Sequence, residues 1–546
     1  MNVAFDPWIP VVTTSGKPDL ASLCDVLAKG EQFVDLAVRP HERVALMRLF
    51  LCVAHAVLNG PKDYNEWCEA PERLHKAVQK YLTDWEDSFE LFHKEKPWLQ
   101  VAGLKSVEKK DGSAGKTSPV ALLDFELATG NNSTLYDHSG QMDFRQIEPE
   151  RIALNLLTFQ NFSSGGGSPI AQWKTTRTSQ VGNPDAPCLS QSMAHCLFRG
   201  KTLAETVHLN LPDFENIGTA YRCFPADKKK RGKFKEVPYG RPVWEFFPDS
   251  PDISSERVVN AIQTYMGRLV PISRWVRIVK DSDQMYCCAG FKYATFREGF
   301  AAEPTASVKI IKKKDKSGVA TQERKIVAVH PNRATWRELS ALLVKRTADG
   351  LGGPLAMVNA PYDTKFDFHV CAITRKQASM DIAVESVFHI TPAVQNHLPA
   401  YQTEVIGEKK VIGAEGYSRK LRWAIEVYRS TIDNDWKPRV KRTQAKERNA
   451  LKDRLAHAAL LSYWTTVEKK LQLLMRHIEA IGTDAAIPTR EAWRKMLFSS
   501  ACEAYRISCG QETPRHMRAF AKGWQKLTVT RDNRETDINK TTEVKI

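Results

Sequence analysis

Residues 460–481 read LLSYWTTVEKKLQLLMRHIEAI, and Leu460, Trp464, Val467, Leu471, Leu474, Ile478 and Ile481 follow one another at spacings of four and three. That alternation lays an apolar stripe along one side of a helix, because 3.6 residues complete a turn. A helix with one apolar stripe must cover it with a neighbour. Neighbours of the same kind stand on both sides in the sequence. Tyr417, Leu421, Ile425 and Tyr428 mark an earlier helix, a segment opening after Pro488 with Thr489 as its N-cap runs to Gly510, and Thr513 and Pro514 restart a helix bearing Met517, Phe520, Trp524 and Leu527. Four amphipathic helices with short connections predict a four-helix bundle. Trp464, Trp493 and Trp524 are expected in its core rather than stacked on bases.

Charge separates this region from the rest. From Lys409 to Ile546 there are 29 basic and 16 acidic residues, so the region carries 13 of the chain's formal net charge of +16, and the first 408 residues, with 50 basic and 47 acidic, are nearly neutral. With Pro392, Pro399 and Gly407 marking a linker, the division expected is a body over 1–404 and a basic helical bundle over 405–546. The excess of positive charge points to a polyanion as partner, nucleic acid before a membrane surface, with a solvated basic face as the plain alternative. At 546 residues, 42% hydrophobic and 26% charged, the chain has the composition of a globular protein of more than one domain. No basic stretch followed by an apolar run opens it, and no run approaches the roughly 18 apolar residues of a membrane span, so a cytoplasmic protein without membrane contact is expected. Eleven cysteines without a CxxC pair suggest reduced thiols, with neither a disulfide framework nor a zinc site.

The body mixes helical patterns, Arg43 to Leu58 and Ile152 to Phe162, with short strand-like runs such as Val327 to Val329 and Ile382 to Val384. Strands and helices do not alternate as a doubly wound sheet requires, so the fold class predicted is α+β: a large irregular mixed N-terminal domain followed by the bundle.

Catalytic templates find no foothold. No complete GxxxxGK[ST] loop, HExxH helix, GxSxG elbow or GxGxxG turn is present. Gly115-Lys116-Thr117 imitates the end of a phosphate loop, but Lys110 stands where its first glycine belongs. Asp137 beside His138 has no second Asp/His cluster to complete a metal or acid/base site. A chain so basic and so poor in catalytic constellations is better suited to binding nucleic acid than to cutting it. No catalytic residue, metal or cofactor is assigned; a stand-alone metal-dependent nuclease is the alternative, and a scaffold bridging only proteins a third reading.

Three kinds of loop suit nucleic acid. In SSGGGSPI, Ser163 to Ile170, the amides of Gly165, Gly166 and Gly167 could lie against a groove or a phosphate where a Cβ would clash, or the glycines serve only a flexible loop. Lys228, Lys229, Lys230, Arg231, Lys233 and Lys235 form one dense basic run, and Lys309, Lys312, Lys313, Lys314 and Lys316 another whose return through Gln322-Glu323-Arg324-Lys325 reads as a hairpin. Such runs neutralise phosphate without reading sequence, or are simply solvated. Lys376, Gln377 and Ala378 sit at the tip of a second hairpin, between Val370–Ile373 and the alternating Met380, Ile382 and Val384. That tip is a polar turn or a projecting element whose amide replaces base-pair hydrogen bonds.

Taken in order, FDPWIPV (Phe5–Val11), GNNSTLYDH (Gly130–His138), the glycine loop, TYMGRLVPISRWVRI (Thr264–Ile278), ITRKQASMD (Ile373–Asp381) and the basic helical end resemble the CasA family, large subunits of the type I-E CRISPR surveillance complex Cascade. The resemblance spans nearly the whole chain, and it implies a non-enzymatic role. The expected work is recognition of a protospacer-adjacent motif in double-stranded DNA, strand opening so that guide RNA pairs and forms an R-loop, and help in recruiting a helicase-nuclease. The partners implied are target DNA, the guide-RNA-containing Cascade subunits and that helicase-nuclease. Carried over residue by residue, the motif-reading loop falls on Gly165, Gly166 and Gly167, with Gly166 the best match. The groove lysine falls on Lys292, with Arg297 as competitor, and the strand-separating wedge on Gln377 with Lys376 and Ala378 beside it. The loop docking at the guide's 5′ end falls on Leu135, Tyr136 and Asp137. Some relatives carry paired cysteines suited to zinc; here only Cys287 and Cys288 stand in the corresponding regions, so no metal is carried over. Lys437, Arg439, Lys441, Arg442, Lys446 and Arg448 are the densest candidates for non-specific DNA contact.

Overall fold

The computed structural model describes residues 1–107, 117–125, 147–178, 184–224, 234–314, 320–330, 333–376, 379–408, 411–435 and 442–528. They divide into two compact units, Met1–Ile390 and Thr391–Ile546. Residue 405, where charge and composition place the boundary, lies within the helix Leu398–Ile406, which belongs to the second unit.

The first unit is α+β, as patterning implies. Its sheets are small and antiparallel: Pro18–Ala21, Ile9–Thr13 and Phe33–Leu36; Leu104–Ser106, Ala171–Trp173 and Thr176–Arg177; Arg274–Ile278, Gln284–Ala289 and Ser118–Pro119; and Ser379–Ile390, Phe366–Lys376 and His195–Arg199. The long helix Pro40–Leu58 packs on the hairpin Phe366–Lys376 with Ser379–Ile390 and on the helices Tyr64–Asp84 and Pro149–Phe162. Pro40 takes the first helical position, where its missing N–H costs nothing. The Glu42 carboxylate accepts from the Arg39 backbone N–H at 2.9 Å, and Asn59 ends the helix in the left-handed region at φ 43°. Almost every residue from His41 to His55 is buried, so this helix is covered on all sides and even Arg48 is inside.

Burying Arg48 requires a counter-ion. Its Nη1 donates to Glu303 Oε2 at 2.9 Å, Arg268 Nη2 donates to Glu303 Oε1 at 2.6 Å, and all three side chains are at most 3% exposed. Burial alone would raise the Glu303 carboxyl, but the two guanidiniums hold it at about 2. The expected strand at Val327–Val329 is not one: the ladder ends at Ile326, and Ala328 makes an isolated bridge with Met193. Val327 and Val329 are apolar because both point into the core, at 1% and 3% exposure.

The second unit is helical, with Ala414–Asp435, Arg442–Lys469, Gln472–Ala480, Ala486–Ser508 and Pro514–Thr528 as its longer elements. The stripe of residues 460–481 does not run along one helix. It breaks at Lys470–Leu471; Val467, Leu474 and Ile478 are buried as expected, but ahead of Val467 the buried face is turned by about one residue, to Ala459 and Tyr463. The small Ala456 and Ala459 allow close approach, and the Tyr463 hydroxyl donates to the Ala414 carbonyl at 2.9 Å, which fixes the rotation. Leu460 and Trp464 are left half-buried, and so is Trp524, which stacks on Phe520 with Arg506 over its ring; Trp493 is in the core as expected. Thr489 is not an N-cap. The helix starts at Ala486, so Pro488 falls in its first turn, where proline is tolerated, and the Thr489 hydroxyl donates to the Ala485 carbonyl at 2.6 Å. No helix among the described residues is long and apolar enough to cross a membrane.

Candidate nucleic-acid interface

The helix Pro149–Phe162 ends where the Ser163 N–H donates to the Phe159 carbonyl, and the chain passes directly into the glycine loop. The three glycines are not equivalent. Gly165 is buried and its N–H donates to Asp185 Oδ1 at 2.7 Å, whereas Gly166 and Gly167 are exposed. Gly166 has φ +148°, a conformation side chains rarely adopt, and a Cβ there would meet nothing within 4 Å. Glycine at 166 therefore serves the backbone conformation and leaves open space in front of it.

The loop is anchored from beneath. Arg274, at the start of the strand Arg274–Ile278, is 3% exposed, and its Nη2 donates to the carbonyls of Ser164 at 2.8 Å and Pro184 at 2.9 Å while Nη1 donates to its own neighbour Ser273 at 2.7 Å. Burial pulls this guanidinium below its usual pKa. Gln160 locks the strand to the helix: its Nε2 donates to the Arg274 carbonyl and its Oε1 accepts from the Arg274 N–H, both at 2.9 Å. The Ala186 N–H donates to the Ser163 carbonyl at 2.9 Å, so the segments before and after the loop are also tied to each other.

Lys292 follows the strand Gln284–Ala289, which pairs with Arg274–Ile278. It is exposed, and its ammonium donates to Glu298 Oε1 at 2.6 Å. That bond, with two from Thr295, lowers the Glu298 carboxyl. Its competitor Arg297 is also exposed and donates to Gln191 Oε1 at 3.1 Å. Thus the loop and the lysine, 125 residues apart in sequence, hang on one pair of strands.

The second hairpin is present. Phe366–Lys376 and Ser379–Ile390 pair from Phe366↔Ile390 to Lys376↔Ser379, so only Gln377 and Ala378 lie between the strands, outside the described residues. The strand His195–Arg199 accompanies the hairpin as far as Cys371; beyond it, residues 372–376 pair only with the returning strand. Ala372, Ile373 and Thr374 are nonetheless buried, so this two-stranded arm stays embedded to within two residues of its turn. At the base of the arm His369 Nε2 lies 2.6 Å from Glu385 Oε1, and with Cys371 Sγ these ligand-type atoms all fall within 4.8 Å of one another. Sequence spacing does not reveal this trio, because Cys371 and Glu385 become neighbours only through strand register.

Leu135, Tyr136 and Asp137, with His138, lie outside the described residues, but both roots of that segment are described. Asp124 precedes it and accepts from Arg39 at 2.9 Å and from Arg151 at 3.1 Å; Arg151, which follows it, also pairs with Glu42 at 2.9 Å. The basic run 228–233, with Lys316, likewise lies outside, as does Gly115-Lys116, while Lys309 pairs with Glu338 in the hairpin Val308–Lys314 with Ala320–Ile326. Lys437, Arg439 and Lys441 are outside too; Arg442, Lys446 and Arg448 fall at the start of the helix Arg442–Lys469. All eleven cysteines are unpaired thiols, and Cys287 and Cys288 point to opposite faces of their strand.

Fold and site define an α+β scaffold with bare loop backbone and a long two-stranded hairpin, followed by a helical unit. A family profile described as CRISPR-associated protein Cse1 matches residues 2–504. The chain belongs to this family, also called CasA. It is 33% identical over 215 residues to CRISPR-associated protein CasA/Cse1 of Thermus thermophilus, a match spanning 38% of this chain and 39% of that relative. The crystal structure of Thermus thermophilus CasA superposes with a TM-score of 0.68 at 20% identity, covering 96% of this chain and 98% of that one. A chain of a CRISPR RNA-guided surveillance complex gives 0.68 at 17% identity, covering 97% and 99%.

Proposed function

We propose that this chain is the large subunit of a CRISPR RNA-guided surveillance complex, where it recognises a protospacer-adjacent motif in double-stranded DNA and starts strand opening. The observation that carries the reading is the glycine loop, whose Gly166 and Gly167 backbone is exposed with open space before it while its base is held from beneath. Backbone and a single lysine approaching the minor groove distinguish mainly A·T from G·C, so several related motifs are tolerated. Lys292 must share or release Glu298 to reach phosphate or base.

Exchange of a DNA duplex for an RNA–DNA hybrid is nearly balanced, and the costly step is unstacking the first pairs, about a few kcal/mol. Gln377 at the end of the arm lowers that step by replacing lost base-pair hydrogen bonds, with Lys376 and Ala378 beside it. Leu135, Tyr136 and Asp137 dock at the guide's 5′ end, the basic helical unit holds DNA without sequence preference, and the assembled R-loop recruits a helicase-nuclease. The subunit itself is no enzyme and works in the cytoplasm. The test is to co-express the tagged chain with its neighbouring subunits, sequence bound RNA, identify co-purifying proteins and measure duplex binding with and without the motif. A chain that stays free of guide RNA, or that cleaves DNA with Mg²⁺ alone, overturns the reading.

A further inference from the structure

Three separate stretches cross at Ser273 and Arg274. The glycine loop arrives from one side, its Ser164 carbonyl taken by Arg274 Nη2; the stretch 184–186 arrives beside it, through the Pro184 carbonyl on the same nitrogen and Asp185 on the Gly165 N–H. From the neighbouring strand comes Gly290, two residues before Lys292. A Cβ on Gly290 would stand 2.6 Å from the Arg274 nitrogen and 2.6 Å from the Ser273 carbonyl oxygen, closer than real Cβ atoms come. Phe291 then donates its N–H to the Ile272 carbonyl at 3.4 Å.

We infer that the Ser273–Arg274 corner is the positioning element of the motif reader, with the Arg274 guanidinium setting the glycine loop and the bare Cα of Gly290 setting the Lys292 segment against it. The inference rests on the functional reading above and names residues that act on the DNA only through others. A buried guanidinium is costly to desolvate, and here its donors go to backbone carbonyls of Ser164, Pro184 and Ser273. Only a planar fork reaches carbonyls of several segments at once; an ammonium of equal charge cannot. The gain is a loop ordered before DNA arrives, so that binding does not bear the cost of ordering it.

The test compares Arg274→Lys and Gly290→Ala with the unaltered chain in the assembled guide-RNA complex. Two quantities are read: the ratio of affinities for duplexes with the preferred and a scrambled motif, and hydrogen exchange of the peptide 163–170 without DNA. Arg274→Lys should cut the ratio by about tenfold, the size of one charge-assisted hydrogen bond, with little change on the scrambled duplex, and speed exchange in the loop. Gly290→Ala should cut the ratio while speeding loop exchange less than Arg274→Lys does, since it removes none of the guanidinium's donors. A purely structural role would weaken both duplexes alike. Should Arg274→Lys fail to assemble, Asp185→Asn, which weakens the acceptor of the Gly165 amide and removes a carboxylate charge acting on Arg274, replaces it with the same expectations. An unaltered chain that does not discriminate motifs refutes the functional reading, and the exchange arm then still decides the corner's hold on the loop. Unchanged ratio and unchanged exchange in Arg274→Lys overturn the inference.

Discussion

Glu303 illustrates how one carboxylate is held by the residues around it. It faces two buried arginines, and Glu303→Gln would leave Arg48 and Arg268 without a counter-ion, a loss expected at about 3 to 5 kcal/mol and read as a lower urea midpoint. The pH dependence follows from its depressed carboxyl. A group ordinarily at 4.5 and held at about 2 contributes fully above about pH 5, and that contribution drains away as pH falls toward 2. Acid-unfolding curves should therefore be shallower for Glu303→Gln than for the unaltered chain; identical curves would remove Glu303 as an acid-sensitive post. Nothing in the sequence around Glu303 announces this role, because its partners lie 255 and 35 residues away. Arg274 left a faint signal, a cation set between Ile272 and Trp275 where a mostly buried strand begins.

At the scale of elements, arm and loop should fail differently. Gln377→Ala is expected to slow guide pairing on fully paired targets, and a target already mismatched beside the motif should rescue it, since pre-opened DNA needs no wedge. Gly166→Asp should weaken initial binding instead, through strain at φ +148° and repulsion from phosphate, and pre-opening should rescue it less. Fluorescence of a base beside the motif gives both rates; equal defects of Gln377→Ala on paired and bubbled targets would exclude a wedge. Hairpins of this kind were legible, since alternation and turn chemistry are local. The rotation of the helix through Tyr463 was not: periodicity places a stripe, but which edge of it is buried depended on a hydroxyl meeting the Ala414 carbonyl.

For the whole molecule, the excess of 13 positive charges after residue 408 should act as a sequence-independent DNA anchor. Neutralising Lys437, Arg439, Lys441, Arg442, Lys446 and Arg448 is expected to flatten the salt dependence of binding by up to about 0.7 to 0.9 in logarithmic slope per lost phosphate contact, with motif preference intact. An unchanged slope would mean that the cluster faces solvent or another subunit.

By itself the sequence determined what local pattern and composition can carry: α+β class, a helical basic end, reduced thiols, two hairpins and a glycine loop. It did so because periodicity, turn residues and charge are properties of neighbours in the chain. Tertiary structure alone decided that Gly165 is engaged while Gly166 and Gly167 are exposed, that Arg274 underlies the loop, that Lys292 hangs on the same strands and is already paired with Glu298, and that two arginines bury one glutamate. Each of these depends on burial and on hydrogen bonds between segments tens to hundreds of residues apart, which exist only once strand register and core packing have brought them together.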